Sequence, residues 1–485
     1  MNDFLFDLVI RNGTVVTAAD TVVCDVAVRD GRIVALGEHL PHGHKEIDAT
    51  GQYVLPGGVD AHCHLDQPMG PGLKMADDFE TGTRSAACGG TTTVIPFAAQ
   101  AKGESLRAAV DDYHKRAEGR ACVDYAFHMI VTDPSKPVIA EELPSLVDEG
   151  YTSFKIYMTY DDLKLDDRQI LECLAVARRE GAMTMIHAEN ADCIAWLTEA
   201  LEAAGHTAPR FHADARPSLV EREATHRALS LAELVDVPIL IVHVSGTEAM
   251  EQIRWAQARG HLVYAETCPQ YLFLTEKHLH RDGFEGAKFV CSPPPRDEAN
   301  HEAIWNGLAT GVFEVFSSDH APFRYDDPLG KKAFGECASF QCIPNGIPGL
   351  ETRLPLLFSE GVLGGRIDIN RFVALTSTNP AKIYGLYPRK GTIAVGVDAD
   401  IAIWDPNVCW TIANEELHHN VDYTPYEGMV LRGRPITTIL RGAIVWEGGS
   451  FTGAAGAGQF LRCARPQPAK RARSRTRRQE AMPGS

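Results

Sequence analysis

The sequence predicts an α/β protein: a (β/α)8 TIM-like barrel joined to a smaller β-sandwich built from both termini. Three observations predict it. Eight short apolar runs alternate with amphipathic segments between residues 51 and 385, the texture of βα units around a parallel sheet. Both ends of the chain instead carry short alternating strands broken by turns. The length of 485 residues also exceeds what one hydrophobic core usually supports.

In chain order, strands are expected at 7–11, 22–29 and 32–36, the last two joined by an Asp30-Gly31 hairpin turn. The same all-β texture returns at 399–404 and 437–446. The barrel strands are read at 54–61, 92–97, 125–131, 153–158, 183–186, 238–242, 262–265 and 313–316. Helical stretches at 105–117, 167–179, 219–234 and 248–259 lie between them. A doubly wound open sheet is the alternative, but no GxGxxG follows any of these runs. The expected division is 1–54 and 389–455 for the sandwich, 55–388 for the barrel, and 456–485 for a basic tail. That tail carries Arg462, Arg465, Lys470, Arg471, Arg473, Arg475, Arg477 and Arg478. It reads as a flexible, solvated segment, with a nucleic-acid arm as the other reading.

Composition narrows the function classes. A net charge of −17 argues against nucleic acid or an anionic membrane as partner of the whole chain. No apolar run is long enough to span a bilayer. The first residues lack a basic n-region and a long apolar stretch, so no signal peptide is expected. The 12 cysteines form no CxxC pair, which suits a reducing cytoplasm, and Cys63 and Cys268 read as buried filler.

The chemistry lies where the strands end. The first ends in His62-Cys63-His64, and residues i and i+2 of a strand share a face. The fourth contains Lys155, the fifth ends in His187, the sixth in His243, and the eighth runs into Asp319. Each has an ordinary explanation alone. Lys155 could hold its stem on apolar surface and its ammonium in water, a single histidine could be a hydrogen-bonded core residue, and Asp319 could cap a helix. Together at the C-terminal mouth of a barrel they make one cluster of four imidazoles, one carboxylate and one lysine.

Such donors suit zinc, and also iron, nickel or manganese. Two metals would need a bridge. An ammonium cannot bind a cation, but a neutral amine in a dry pocket could take up carbon dioxide as an anionic carbamate. Two ions about 3.5–4 Å apart could share that carbamate and a hydroxide.

At this point the chain resembles the dihydropyrimidinase/D-hydantoinase (cyclic imidase) family of the amidohydrolase superfamily, over roughly residues 5–455. The resemblance is carried by residues 55–66 (LPGGVDAHCHLD), 154–160 (FKIYMTY), 186–190 (IHAEN), 264–272 (YAETCPQYL), 291–296 (CSPPPR), 317–322 (SSDHAP) and 345–351 (NGIPGLE). It implies that His62, His64 and Asp319 hold one Zn2+ and His187 and His243 a second, bridged by N6-carboxylated Lys155 and hydroxide. It implies Tyr160 as the oxyanion donor, Ser292 and Asn345 as binders of the ring amide, and Asp319 as proton shuttle. For Tyr160 the plain alternative is packing beneath a loop; for Ser292 and Asn345 it is turn chemistry.

The implied reaction is hydrolytic ring opening of a small cyclic amide. A dihydropyrimidine such as dihydrouracil would give an N-carbamoyl-β-amino acid, and a 5-substituted hydantoin an N-carbamoyl-α-amino acid. Dihydroorotases carry a cation after the first histidines, where this chain has Asp66, so a neutral ring is expected. Allantoinase is the enzymatic rival. The non-enzyme rival is a metal-free assembly protein of the same fold, against which all six ligands are present. Segments 67–73 and 157–164 correspond to the lid over the ring substituent, with Asp161, Asp162 and Lys164 as its polar part or as solvent-facing residues. Homotetramers (or dimers) are expected from the resemblance.

Overall fold

A computed structural model describes residues 5–466 of the chain. Its barrel is a parallel sheet of Gly58–Cys63, Thr91–Ala99, Asp124–Tyr125 with His128–Ile130, Ser153–Tyr157, Met183–His187, Ile239–Ile241, Val263–Thr267 and Val315–Phe316. The ring closes between its last and first strands. His64 N–H donates to the His320 carbonyl at 2.7 Å, and Asp319 N–H donates to the His62 carbonyl at 2.9 Å. This closure carries the metal-ligand candidates of strands one and eight into the same few residues.

The expected first strand, 54–61, is two strands in two different sheets. Tyr53–Pro56 pairs with Phe6–Val16 and Ile401–Thr411 in the terminal sheet, and Gly58–Cys63 begins the barrel. The switch falls at Gly57, where any Cβ would collide with Thr92. Likewise the run 125–131 is interrupted between Tyr125 and His128.

Helices form where the sequence supplies both caps and an apolar stripe. Asp166 accepts from the Gln169 N–H and the Gln169 side chain returns to the Asp166 N–H, starting Asp167–Glu180. Gly181, at φ 70°, ends it in the left-handed region that glycine tolerates. The stripe Ile170, Cys173, Leu174 and Ala177 is buried against the barrel wall, with Phe154 and Ile156 in the same cluster.

The terminal sheet has nine strands and joins both ends of the chain, with Gly43–Asp48 off its main path. Phe6–Val16 pairs with Gly43–Asp48 through its first half and with Tyr53–Pro56 through its second. It changes neighbour around Asn12, at φ 59°. Asp30 and Gly31, at φ 52° and 74°, make the expected tight hairpin. Sheet and barrel meet at a buried ion cluster: Lys390 Nζ lies 2.7 Å from Asp124, 3.0 Å from Asp398 and 2.5 Å from Asp400. Arg441 also pairs with Asp124.

Residues 456–466, expected to begin a flexible tail, pack beneath the barrel. Leu461 N–H donates to the Tyr125 carbonyl and Cys463 N–H to that of Gly150. Phe460 sits among the rings of His114, Tyr125, Phe127 and Tyr151. Apolar burial holds this stretch despite its arginines. The basic residues from Lys470 onward lie outside the described residues. Among the described residues no helix is long and apolar enough to cross a membrane.

Candidate metal centre and active site

Lys155 stands in mid-strand with 1 % of its surface exposed, so its ammonium does not reach water. Strand alternation sends Phe154 and Ile156 outward to the helices and Lys155 inward, where its Nζ lies 4.7 Å from the Phe97 ring centre and 4.8 Å from that of Tyr157. Burial pushes its pKa down, although Asp319 and Glu266 oppose the shift. Nζ lies 2.9 Å from His62 Nε2.

The other predicted ligands gather around it. His62 Nε2 is 3.2 Å and His64 Nε2 3.6 Å from the same Asp319 oxygen, and these three residues form a group able to hold an ion. His187 Nδ1 and His243 Nε2 are 2.9 Å apart. The His243 ring centre lies 5.4 Å from that of His62. Burial pushes Asp319 up, yet His62, His64 and Lys155 outweigh it and hold the carboxyl below its usual range. Burial, with Lys155 nearby, holds His62, His187 and His243 below the usual imidazole value, and hence neutral.

Outer partners orient these rings. His62 Nδ1 donates to Glu266 at 2.6 Å, His64 Nδ1 to Gln67 at 2.6 Å, and His187 Nε2 to Glu189 at 2.7 Å. Each bond leaves the inner nitrogen as a lone pair. The inner nitrogens of His62 and His64 face one Asp319 oxygen, at 3.2 and 3.6 Å. His243 Nδ1 is buried without a hydrogen-bond partner. Electron-rich atoms arranged in this way fit a divalent cation.

Beside the ligands lies the second predicted group. Tyr160 stands at φ 67°, and its ring meets that of His187 at 5.5 Å. Asn345 Nδ2 donates to the Tyr160 hydroxyl at 3.4 Å, and Ser292 also supports that hydroxyl. Burial pushes the phenol pKa up, against the Arg216 guanidinium 5.3 Å over its ring. Left-handed backbone recurs at His243 (φ 38°) and Asp319 (φ 48°), so three of these residues carry local strain. Asp319 turns toward His62 and His64 rather than capping a helix.

The sequence reading missed Glu266, Glu189 and Gln67. Glu189 follows His187 by two residues, and Gln67 follows His64 by three, so both were within reach of spacing. Glu266 was marked only by being a carboxylate inside an apolar strand. Arg216 was missed too; it donates to Glu189 at 2.8 Å and so joins the candidate ligand His187 to Tyr160. Asp66 has a partner too: at φ 46° its carboxylate pairs with Arg116 at 3.3 Å. In the second lid segment Lys164 pairs with Asp161 at 2.7 Å, and that aspartate side chain is 92 % exposed. Cys63 and Cys268 are buried, and burial pushes both thiols up, consistent with filler.

Residues 53–445 match the family model described as Amidohydrolase family. The chain is 46% identical over 459 residues to a D-hydantoinase of Geobacillus stearothermophilus, covering 94% of this chain and 96% of that protein. A D-hydantoinase of Ralstonia pickettii is 45% identical over 457 residues, at 94% and 98% coverage. The crystal structure of a dihydropyrimidinase from Brevibacillus agri superimposes with a TM-score of 0.92 at 46% identity, over 95% of this chain and 99% of that one. The chain therefore belongs to the amidohydrolase family, in the group that includes D-hydantoinases and dihydropyrimidinases.

Proposed function

We propose that this protein hydrolyses cyclic amides, opening 5,6-dihydropyrimidines such as dihydrouracil and 5-substituted hydantoins to N-carbamoyl amino acids. The observation that carries the reading is the meeting of His62, His64 and Asp319 in a group able to hold an ion, beside His187, His243 and the buried Lys155. His62, His64 and Asp319 would hold one zinc and His187 and His243 a second, with carboxylated Lys155 between them. Bound zinc would supply an acidified water and a polarised carbonyl.

The chain's own residues do the rest. Main-chain groups at Ser292 and Asn345 grip the ring amide and aim its carbonyl at the centre. The Tyr160 hydroxyl donates to the oxygen that becomes negative as water adds. Asp319 takes the proton of the attacking water on a carboxylate oxygen and passes it to the departing ring nitrogen. The carbonyl carbon gains an oxygen, its bond to nitrogen breaks, and no redox change occurs. Phe97 and Tyr157, packed on Lys155, keep bulk water from its amine.

A cytoplasmic location, a homotetramer (or dimer), and a sandwich of 1–54 with 389–455 around a 55–388 barrel belong to the same proposal. The test offers purified enzyme dihydrouracil, a 5-aryl hydantoin and allantoin, with metal content measured alongside. The first two should be opened and should compete for one site. Opening of allantoin alone would transfer the function to an allantoinase, and metal-free protein inert to all three would favour an assembly role.

A further inference from the structure

Two neighbouring lysines in the loop after the eighth strand have opposite fates. Lys332 turns outward and pairs with Asp326 at 3.0 Å and Glu336 at 2.8 Å. Lys331 turns inward and is 1 % exposed, and among the described residues no carboxylate pairs with it. Its Nζ instead donates to the Val290 carbonyl at 2.9 Å and to the Pro344 carbonyl at 2.6 Å. The loop is shaped for this. Lys331 N–H donates to the Arg324 carbonyl at 2.8 Å, and a Cβ on Gly330 would collide with that carbonyl.

The two carbonyls belong to different loops. Val290 lies two residues before Ser292, and Pro344 immediately precedes Asn345. Gly346 N–H also donates to the Val290 carbonyl, at 3.0 Å, so the loops meet at one oxygen and Lys331 clamps both. We propose that Lys331 is a positioning residue that sets the spacing between the Ser292 and Asn345 loops, and through it the grip on the ring amide. The inference rests on the ring-opening reading, in which those two loops hold the substrate. Burial drives the Lys331 pKa down to about 7, a cost that an outward lysine would avoid.

The test compares wild-type holoenzyme with Lys331→Met, using dihydrouracil and a 5-aryl hydantoin, with zinc content and thermal unfolding recorded. Losing both hydrogen bonds behind the binding loops should raise KM ~10-fold or more while kcat falls less than ~3-fold and zinc content stays constant. A lower unfolding temperature with KM unchanged would show a merely structural lysine and overturn the proposal, leaving ring opening intact. A collapse of kcat at constant KM would overturn it too. Wild-type enzyme that opens neither ring would overturn the underlying reading, and this inference with it. If Lys331→Met does not fold, Lys331→Gln keeps a donor for one carbonyl. A smaller rise in KM then supports the proposal, and a wild-type KM overturns it.

Discussion

One oxygen of Glu266 lies 2.6 Å from His62 Nδ1 and accepts the backbone N–H of His243 at 3.1 Å. A single carboxyl group thus orients the ring of one candidate ligand and fixes the backbone of another, from a strand that supplies none of the predicted ligands. Glu266→Gln should weaken metal binding ~10–100-fold with the fold retained. Chelator competition measures this directly, and an unchanged affinity would remove Glu266 from the centre.

Lys155→Ala should lose bound metal and activity together. A small carboxylic acid supplied in solution should restore part of both by standing in for the carbamate. Full metal occupancy and full rate in the variant would rule the carbamate out.

Asp319→Asn should stop turnover even when metal is retained. Loss of a positioned proton carrier costs ~10²–10⁴-fold. Single-turnover rates at saturating metal separate this from simple loss of a ligand.

Tyr160→Phe keeps the ring against His187 and removes only the hydroxyl. The expected loss is ~10²–10³ in kcat, the usual effect of deleting one oxyanion donor. A variant changed in KM alone would make Tyr160 a binding residue.

Lys390→Met leaves Asp124, Asp398 and Asp400 without their buried cation and should destabilise the protein by about 3–5 kcal/mol. Burial pushes Asp398 up, but Lys390 and Arg389 outweigh it and hold the carboxyl below its usual range. A lowered carboxyl pKa stabilises the fold above the ordinary value, and that contribution is lost as pH falls through the lowered one. The gap between wild type and variant should therefore be full at neutral pH and shrink on acidification. Denaturant titrations at pH 7 and at about pH 2.5, below the ordinary carboxyl value, would show it.

Much of the barrel was legible in the sequence. The strands Ser153–Tyr157 and Met183–His187 fall within a residue of their predicted bounds, because each is an apolar run closed by a turn or helix cap. His62 and His64 were legible because a strand places i and i+2 on one face. The break at Gly57 was hidden, since an apolar run does not reveal which sheet each half joins. Glu266 was hidden because its partner lies 204 positions away in the chain. The Arg116 partner of Asp66 was hidden because that pairing follows from a left-handed backbone angle and a helix 50 residues on, neither visible in a motif.

The left-handed backbone at Tyr160, His243 and Asp319 bears on how this protein would respond to selection. Each such non-glycine residue costs on the order of 1–3 kcal/mol, but glycine would relieve it only by emptying a buried or partly buried position, at ~3–5 kcal/mol for an aromatic ring. Screening variants for heat resistance alone would therefore find little to gain at these three positions, and nothing in such a screen would protect their side chains. Evolution of a hardier enzyme from this chain has to select for turnover in every round, and to seek its added stability away from the barrel mouth.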